Sequence, residues 1–295
     1  MTLRSWQADL ALLGVSLVWG TTFVVVKQAL ARLAPFSFLA WRFCLAGLFL
    51  LAVCRIQVRP QGPGMVSAGI KIGAALFAAY AFQTVGLQYT TPSKAAFITA
   101  LSVVLVPIMS SALLRQLPGA QAVVGVGLAT VGLALLTWEG WSGPGWGDLL
   151  VLACAFGFAT HIIAVARYSG EYDPLWLTGI QIMTVGILSL PPAMAEGFPL
   201  PSRGAAWAVV YTALVATAGA FLIQNAVQQF TTPTHTALIF STEPVFAAAW
   251  AYVLVGDLLE SWQVVGAALV LAGTLVSELA HQREGPAEAE PPSIR

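Results

Sequence analysis

A carboxylate in the middle of an apolar stretch raises the first chemical question in this sequence. Residues 238–250 read LIFSTEPVFAAAW, with Glu243 near the centre and Pro244 next to it. A charge at bilayer depth costs about 2.5–3.5 kcal/mol on insertion scales. Proline removes a backbone donor and opposes a straight helix. An apolar helix interrupted by an acid and a breaker has the pattern of a working site at the midplane. The alternative is a structural kink whose acid is neutral or paired. As a working group, Glu243 binds a cationic or amine part of a cargo, or carries a coupling proton.

Few other polar residues sit at depth. Arg42 is the only basic residue well inside an apolar segment. Three roles are open to it: partner of Glu243, receptor for a cargo carboxylate, or a side chain that snorkels to the surface. Gln83 and Gln224 occupy equivalent places in two segments, with Asn225 beside the second. Amides in a bilayer face protein or a wet cavity, or glue helices together. Tyr80 lies one turn before Gln83 and shares its face. Thr21, Thr22, Thr160 and His161 fall at matched depths; His161 either shuttles a proton or serves as a hydrogen-bond partner. Trp19 either stacks on cargo or fills the core. The expected cargo site is therefore Trp19, Thr22, Tyr80, Gln83, His161, Gln224, Asn225 and Glu243, with Glu243 and Arg42 as coupling groups. No G-x-S-x-G, H-E-x-x-H or P-loop is present, so no catalytic site is expected. Cys44, Cys54 and Cys154 and the scattered His161, His235 and His281 match no metal pattern, and no cofactor is expected.

The elements that must hold these groups are membrane helices. The chain has 295 residues, 58% hydrophobic and 9% charged, with mean hydropathy +0.81. A soluble domain carries about 25% charged residues. The expected class is an all-α integral membrane protein, its partners a lipid bilayer, a small-molecule substrate and a proton. Zero net charge leaves no electrostatic footprint for nucleic acid. Ten apolar segments are expected, at 8–26, 36–54, 69–88, 93–114, 120–138, 148–166, 174–194, 204–229, 234–255 and 260–279. The Pro/Glu/Ala-rich stretch 282–295 reads as a disordered cytoplasmic tail. The first segment lacks a small-residue cleavage site and is expected to be retained. Gly125 and Gly127 can pack within a chain or between chains, so the oligomer stays open.

Basic residues give the orientation. Arg4, Arg55, Arg59, Lys71, Arg115, Arg167, Arg283 and Arg295 fall on the side of the N-terminus, and Lys27, Arg32, Lys94 and Arg203 on the other. This bias predicts a plasma (inner) membrane protein with both termini cytoplasmic. Most tryptophans lie near segment ends, as interface anchors; Trp19 and Trp250 lie inside.

The chain repeats itself. An offset of 139 places Asp9-Leu10 on Asp148-Leu149, Thr21 on Thr160, Pro35 on Pro174 and Gly47 on Gly186. An offset of 141 places Thr90-Thr91-Pro92 on Thr231-Thr232-Pro233, Gln83 on Gln224, Gly125 on Gly266 and Gly132 on Gly273. With five segments per copy, 8–138 and 148–280, the second copy enters the membrane from the opposite side. Inverted repeats suit a transporter with a midplane site.

With these residues in hand, the chain resembles the EamA-type exporters of the drug/metabolite transporter superfamily over about 9–279. The motifs are Trp19-Gly20-Thr21-Thr22-Phe23, Trp41-Arg42-Phe43, Thr242-Glu243-Pro244 and Gly256-Asp257, together with ten segments in two EamA-type repeats. Two departures stand out. Arg115-Gln116 replaces an acidic residue often found after the fourth span, and Pro107 aligns internally with Ala248 instead of Pro244. The resemblance implies export of small metabolites such as amino acids, driven by protons. The resulting expectation is a secondary-active transporter of small polar or zwitterionic metabolites working by alternating access. An uncoupled facilitator is the alternative. A sugar-phosphate carrier is less favoured, since phosphate needs several Arg or Lys groups and only Arg42 is at depth. A membrane-embedded enzyme lacks its motifs.

Overall fold

Lipid offers a backbone no hydrogen bonds, so an apolar chain satisfies its own N–H and C=O groups by forming helices. The computed structural model describes residues 5–57, 62, 64–114, 117–138, 145–255 and 260–284, and every regular element among them is helical. The first half comprises α1 (Ser5–Gly20), α2 (Thr22–Leu30), α3 (Pro35–Gln57), α4 (Gly64–Gly86), α5 (Pro92–Ala100), α6 (Ser102–Leu113) and α7 (Ala120–Leu136). The second comprises α8 (Trp146–Tyr168), α9 (Pro174–Ala195), α10 (Arg203–Ala213), α11 (Ala220–Val227), α12 (Pro233–Phe240), α13 (Glu243–Val255) and α14 (Ser261–Glu284). A π-helical turn, Leu214–Gly219, joins α10 to α11, and a 3-10 turn, Gln228–Phe230, follows α11.

Among the described residues, seven helical stretches are long and apolar enough to cross a membrane. Ala120–Leu136 and Ser261–Ser277 are shorter apolar helices. The Glu243 segment is split into α12 and α13. Two sequence expectations shift: α14 continues to Glu284, so 282–284 are helical instead of tail, and the first, fourth, eighth and ninth segments are interrupted. The motif Gly256-Asp257, the pair Arg115-Gln116 and residues 285–295 lie outside the described residues.

Two of the interruptions have a local signature. Between α1 and α2, the Thr21 hydroxyl donates to Val18 O at 2.7 Å and the Thr22 hydroxyl to Trp19 O at 2.8 Å. Such side-chain competition for carbonyls favours a bend. Between α12 and α13, the Ser241 and Thr242 hydroxyls bond Leu238 O and Ile239 O in the same way, and Pro244 lacks a donor. Between α5 and α6 the break falls at Leu101, the counterpart of Thr242 at the 141-residue offset. No Gly, Pro or Ser stands at Leu101 itself; the repeat keeps the bend without the residues that explain it in the other copy.

The two copies interlock through their own counterparts. α3 packs on α9, and α7 on α14. A methyl group at Gly47 would stand 2.9 Å from Met183 Cα, and one at Gly186 would stand 2.9 Å from Cys44 N; Met183 is itself the counterpart of Cys44. In the second seam, a methyl group at Gly132 would stand 2.6 Å from Gly266 O and one at Gly125 would stand 2.6 Å from Gly273 O. Sequence numbers rise along one helix as they fall along the other, so each helix crosses its counterpart antiparallel. The two-fold axis relating such helices runs perpendicular to them, not along them. Close backbone approach of this kind drives helix association where lipid supplies no hydrophobic force. Gly127, two residues beyond Gly125, has open space around it.

Candidate functional site

The interruptions converge on one cavity. Trp19 and Thr22 flank the α1/α2 bend, Ala100 and Ser102 the α5/α6 bend, and Phe240 and Glu243 the α12/α13 bend, and all six line it. The empty space among them, open solvent at the mouth included, is about 850 Å³. Broken helices at depth are tolerated where they line a cavity, because the freed backbone groups then find partners or water.

Glu243 is the first residue of α13. The amino end of a helix carries unpaired N–H groups and a partial positive charge, which favours an anion there. Glu243 lines the cavity, and among the described residues no group hydrogen-bonds or ion-pairs with its carboxylate. Two acceptor oxygens are therefore presented to whatever enters. Gln224 adds a third acceptor: its Nε2 donates to Gln228 Oε1 at 2.9 Å, while its own Oε1 is buried with no partner.

Arg42 answers the question left by the sequence. It is 2% exposed, which excludes snorkelling. Its Nε donates to Thr217 Oγ1 at 2.7 Å and its Nη2 to the Tyr80 hydroxyl at 3.4 Å. The guanidinium also lies over the rings of Tyr80 and Phe43, at 4.9 and 5.1 Å from their centroids. The widened turn of a π-helix makes this possible. Leu214–Gly219 turns Thr217 toward Arg42 and leaves Ala216 O to accept the Trp19 indole N–H at 2.8 Å. Arg42 touches the cavity but is already committed to these partners, and it forms no ion pair with Glu243. That arrangement suits a fixed positive wall better than a phosphate clamp. Arg42→Lys keeps the charge but loses the planar fork. It is expected to cost about 1.5–3 kcal/mol, the worth of a charged hydrogen bond, and to lower the melting temperature in detergent measurably.

The other expected residues divide. Thr22, Tyr80, Gln83 and His161 line the cavity with Trp19 and Gln224. Gln83 donates to Thr99 Oγ1 at 3.2 Å. His161 Nε2 pairs with Gln181 Oε1 at 3.2 Å, and Gln181 is the repeat counterpart of Arg42. Asn225 is fully buried but turned away from the cavity, donating to Phe221 O at 2.8 Å; one helical position, about 100°, separates it from Gln224. Thr160 is exposed on the outer side of α8 and back-bonds Phe156 O, so it does not join Thr22 and His161. Trp19 has both fates left open: it lines the cavity, and its ring packs on Phe221 and Phe240 at 5.2 and 5.0 Å. Trp250 instead ties α13 to α1, donating to Leu17 O.

Sequence reasoning missed the aromatic wall. Phe158, Phe221 and Phe240 all line the cavity. Phe158 and Phe221 each stand three residues before a polar lining residue of their own helix, His161 and Gln224. That spacing puts them on the same helix face and could have revealed them. Thr217 carried no such signal, because its orientation depends on the π-helical turn.

Comparison with known proteins adds the following. The model of the EamA-like transporter family matches residues 6–138 and 145–279. A transporter of Archaeoglobus fulgidus, named only as uncharacterized, is 38% identical over 275 residues, covering 92% of this chain and 86% of its own. The inner membrane transporter YedA of Escherichia coli K12 is 26% identical over 250 residues, covering 82% of this chain and 78% of its own. A solved crystal structure superposes with a TM-score of 0.79 over 94% of this chain and 98% of the other, at 20% identity, a likeness of fold alone.

Proposed function

Because the chain belongs to the EamA-like transporter family of the drug/metabolite transporter superfamily, we propose that this membrane transporter is a secondary-active exporter of small polar or zwitterionic metabolites. Amino acids and related compounds are the cargo class. The chain crosses the membrane ten times as two inverted five-helix repeats and works by alternating access with proton coupling. It sits in a plasma (inner) membrane with both termini cytoplasmic. Antiparallel crossing of counterpart helices supports the inverted reading. The name of the Escherichia coli relative supports the location.

The observation that carries the cargo class is the unpartnered Glu243 carboxylate at the head of α13, facing a cavity walled by aromatic rings. An ammonium group satisfies both carboxylate oxygens by charge-assisted bonds. Aromatic faces accept the same cation or the apolar body of the cargo. Arg42, held in the same lining by Thr217 and Tyr80, supplies the positive field for a cargo carboxylate.

The test is transport in reconstituted vesicles. Radiolabelled amino acids are offered to purified protein with and without a pH gradient. Uphill accumulation that needs the gradient supports the proposal. Downhill flux indifferent to it makes the protein an uncoupled facilitator, and absence of flux for every amino acid removes the cargo class.

A further inference from the structure

Two acid–base side-chain pairs at opposite ends of the bundle are copies of one another. The 139-residue offset carries Asp9 onto Asp148, and the 141-residue offset carries Lys94 onto His235. In the fold the four residues pair crosswise. Asp148 of the second copy approaches Lys94 of the first at 4.0 Å. Asp9 of the first meets His235 of the second, Oδ1 to Nε2, at 3.2 Å. Each pair ties the opening turns of α1 or α8 to the opening turn of the broken helix in the other copy. The backbone repeats as well: Lys94 N and His235 N donate to the capping hydroxyls of Thr91 and Thr232, both at 3.2 Å.

The two pairs are in different states. His235 and Asp9 side chains are 3% and 8% exposed. His235 Nδ1 also meets Ser277 Oγ of α14 at 3.1 Å, and Ala8, Leu12, Val227 and Ile239 form a buried cluster at the same end. Lys94 and Asp148 are 27% and 12% exposed and line an open recess with Tyr89 and Gly145. Asp148 there is held by the Thr90 hydroxyl and the Gly145 N–H, with Lys94 at the limit of pairing distance. The central cavity has the same polarity. Its lining at Val26, Leu87 and Ala96 lies toward the Asp148 end of the bundle, whereas on α12 it begins at Phe240, five residues beyond His235.

We propose that Asp9–His235 and Lys94–Asp148 are paired latches that close opposite ends of the central cavity in alternation, the first buried and shut in this structure and the second slack, at 4.0 Å and open to the recess. A repeat-related pair at each end is what alternation requires. When one copy's arrangement is exchanged for the other's, the closed end becomes the open one. The alternation rests on the alternating-access reading above, but its test reads conformation and not cargo.

Full-length protein with Cys44, Cys54 and Cys154 replaced by Ala carries one reporter, Ala100→Cys, on the cavity wall. A membrane-impermeant maleimide is applied in turn to the Asp148 face and the Asp9 face of the membrane. The parent labels faster from the Asp148 face. Asp9→Ala is expected to raise labelling from the Asp9 face about tenfold or more, a population shift of ordinary size for one lost latch. Lys94→Gln is expected to lower labelling from that face, because the state open to it then lacks its closing pair. The exchange Asp9→His with His235→Asp is expected to restore the parent pattern, which a merely damaged protein cannot do. Unchanged labelling in Asp9→Ala overturns the latch, as does an exchanged protein that runs monodisperse yet still labels like Asp9→Ala. Shifted labelling without amino-acid transport upholds the latch and removes the cargo reading. Intact transport with unshifted labelling does the reverse.

Discussion

Glu243→Gln is expected to abolish proton-coupled export while the protein reaches the membrane in wild-type amounts. Gln matches Glu in size and keeps one acceptor, so the helix start and the cavity shape survive. What goes is the charge. Among the described residues no group hydrogen-bonds or ion-pairs with the carboxylate, and the Arg42 guanidinium, whose positive field reaches it, is committed by hydrogen bonds to Thr217 and Tyr80. A charged hydrogen bond is worth about 1.5–3 kcal/mol, so binding of an ammonium cargo weakens by about 10- to 200-fold. Coupling is lost more completely, since an amide cannot carry the proton at all. The measurement is pH-gradient-driven uptake by vesicles holding equal amounts of each protein. Glu243→Asp, with the charge kept and the reach shortened, is expected to fall between them. Wild-type export by the Gln variant would take Glu243 out of the mechanism.

Glu243 was legible because its cost was legible. A lone acid in an apolar run is expensive in lipid, and the Thr242-Glu243-Pro244 sequence marks both the charge and the break. The repeat was legible for a similar reason: Gly and Pro are the residues whose positions a fold tolerates least freedom in, and their offsets of 139 and 141 hold across both copies. Those offsets also contained the Asp9/Asp148 and Lys94/His235 correspondence, although only the fold shows that the pairs, Asp9–His235 and Lys94–Asp148, cross between copies. Other features depend on geometry that residue types do not encode. The bend at Leu101 occurs without a breaker. The π-helical turn Leu214–Gly219 is written in ordinary small and apolar residues, yet it decides where Thr217 and Ala216 O point. Asn225 and Gln224 are adjacent and chemically alike, and only the phase of α11 tells which one faces the cavity. Arg42 at two turns from a helix end can reach water or stay inside; the rings of Tyr80 and Phe43 and the Thr217 hydroxyl hold it inside.

The same dependence on phase separates two glycines of α7, and this leads to the second large effect. Gly132→Leu is expected to prevent formation of a stable, monodisperse protein, whereas Gly127→Leu is expected to leave the melting temperature within a few degrees of wild type. A Cβ at Gly132 would stand 2.6 Å from Gly266 O and 2.7 Å from Val270 N, both backbone atoms of α14. Backbone cannot rotate aside as a side chain can, so the helices must part. Overpacking a fitted seam costs about 1–3 kcal/mol, occasionally more, and here the loss spreads: Gly125, Gly266 and Gly273 share the α7–α14 crossing and lose their close contacts together. At Gly127 no atom stands within 4 Å of the added carbon, so a leucine projects into open space. Size-exclusion profiles and thermal unfolding in one detergent compare the two variants directly. If both behave alike, the seam is not what holds α7 to α14. A stable Gly132→Leu protein would also mean that the antiparallel crossing of counterpart helices tolerates a separation that these backbone distances forbid.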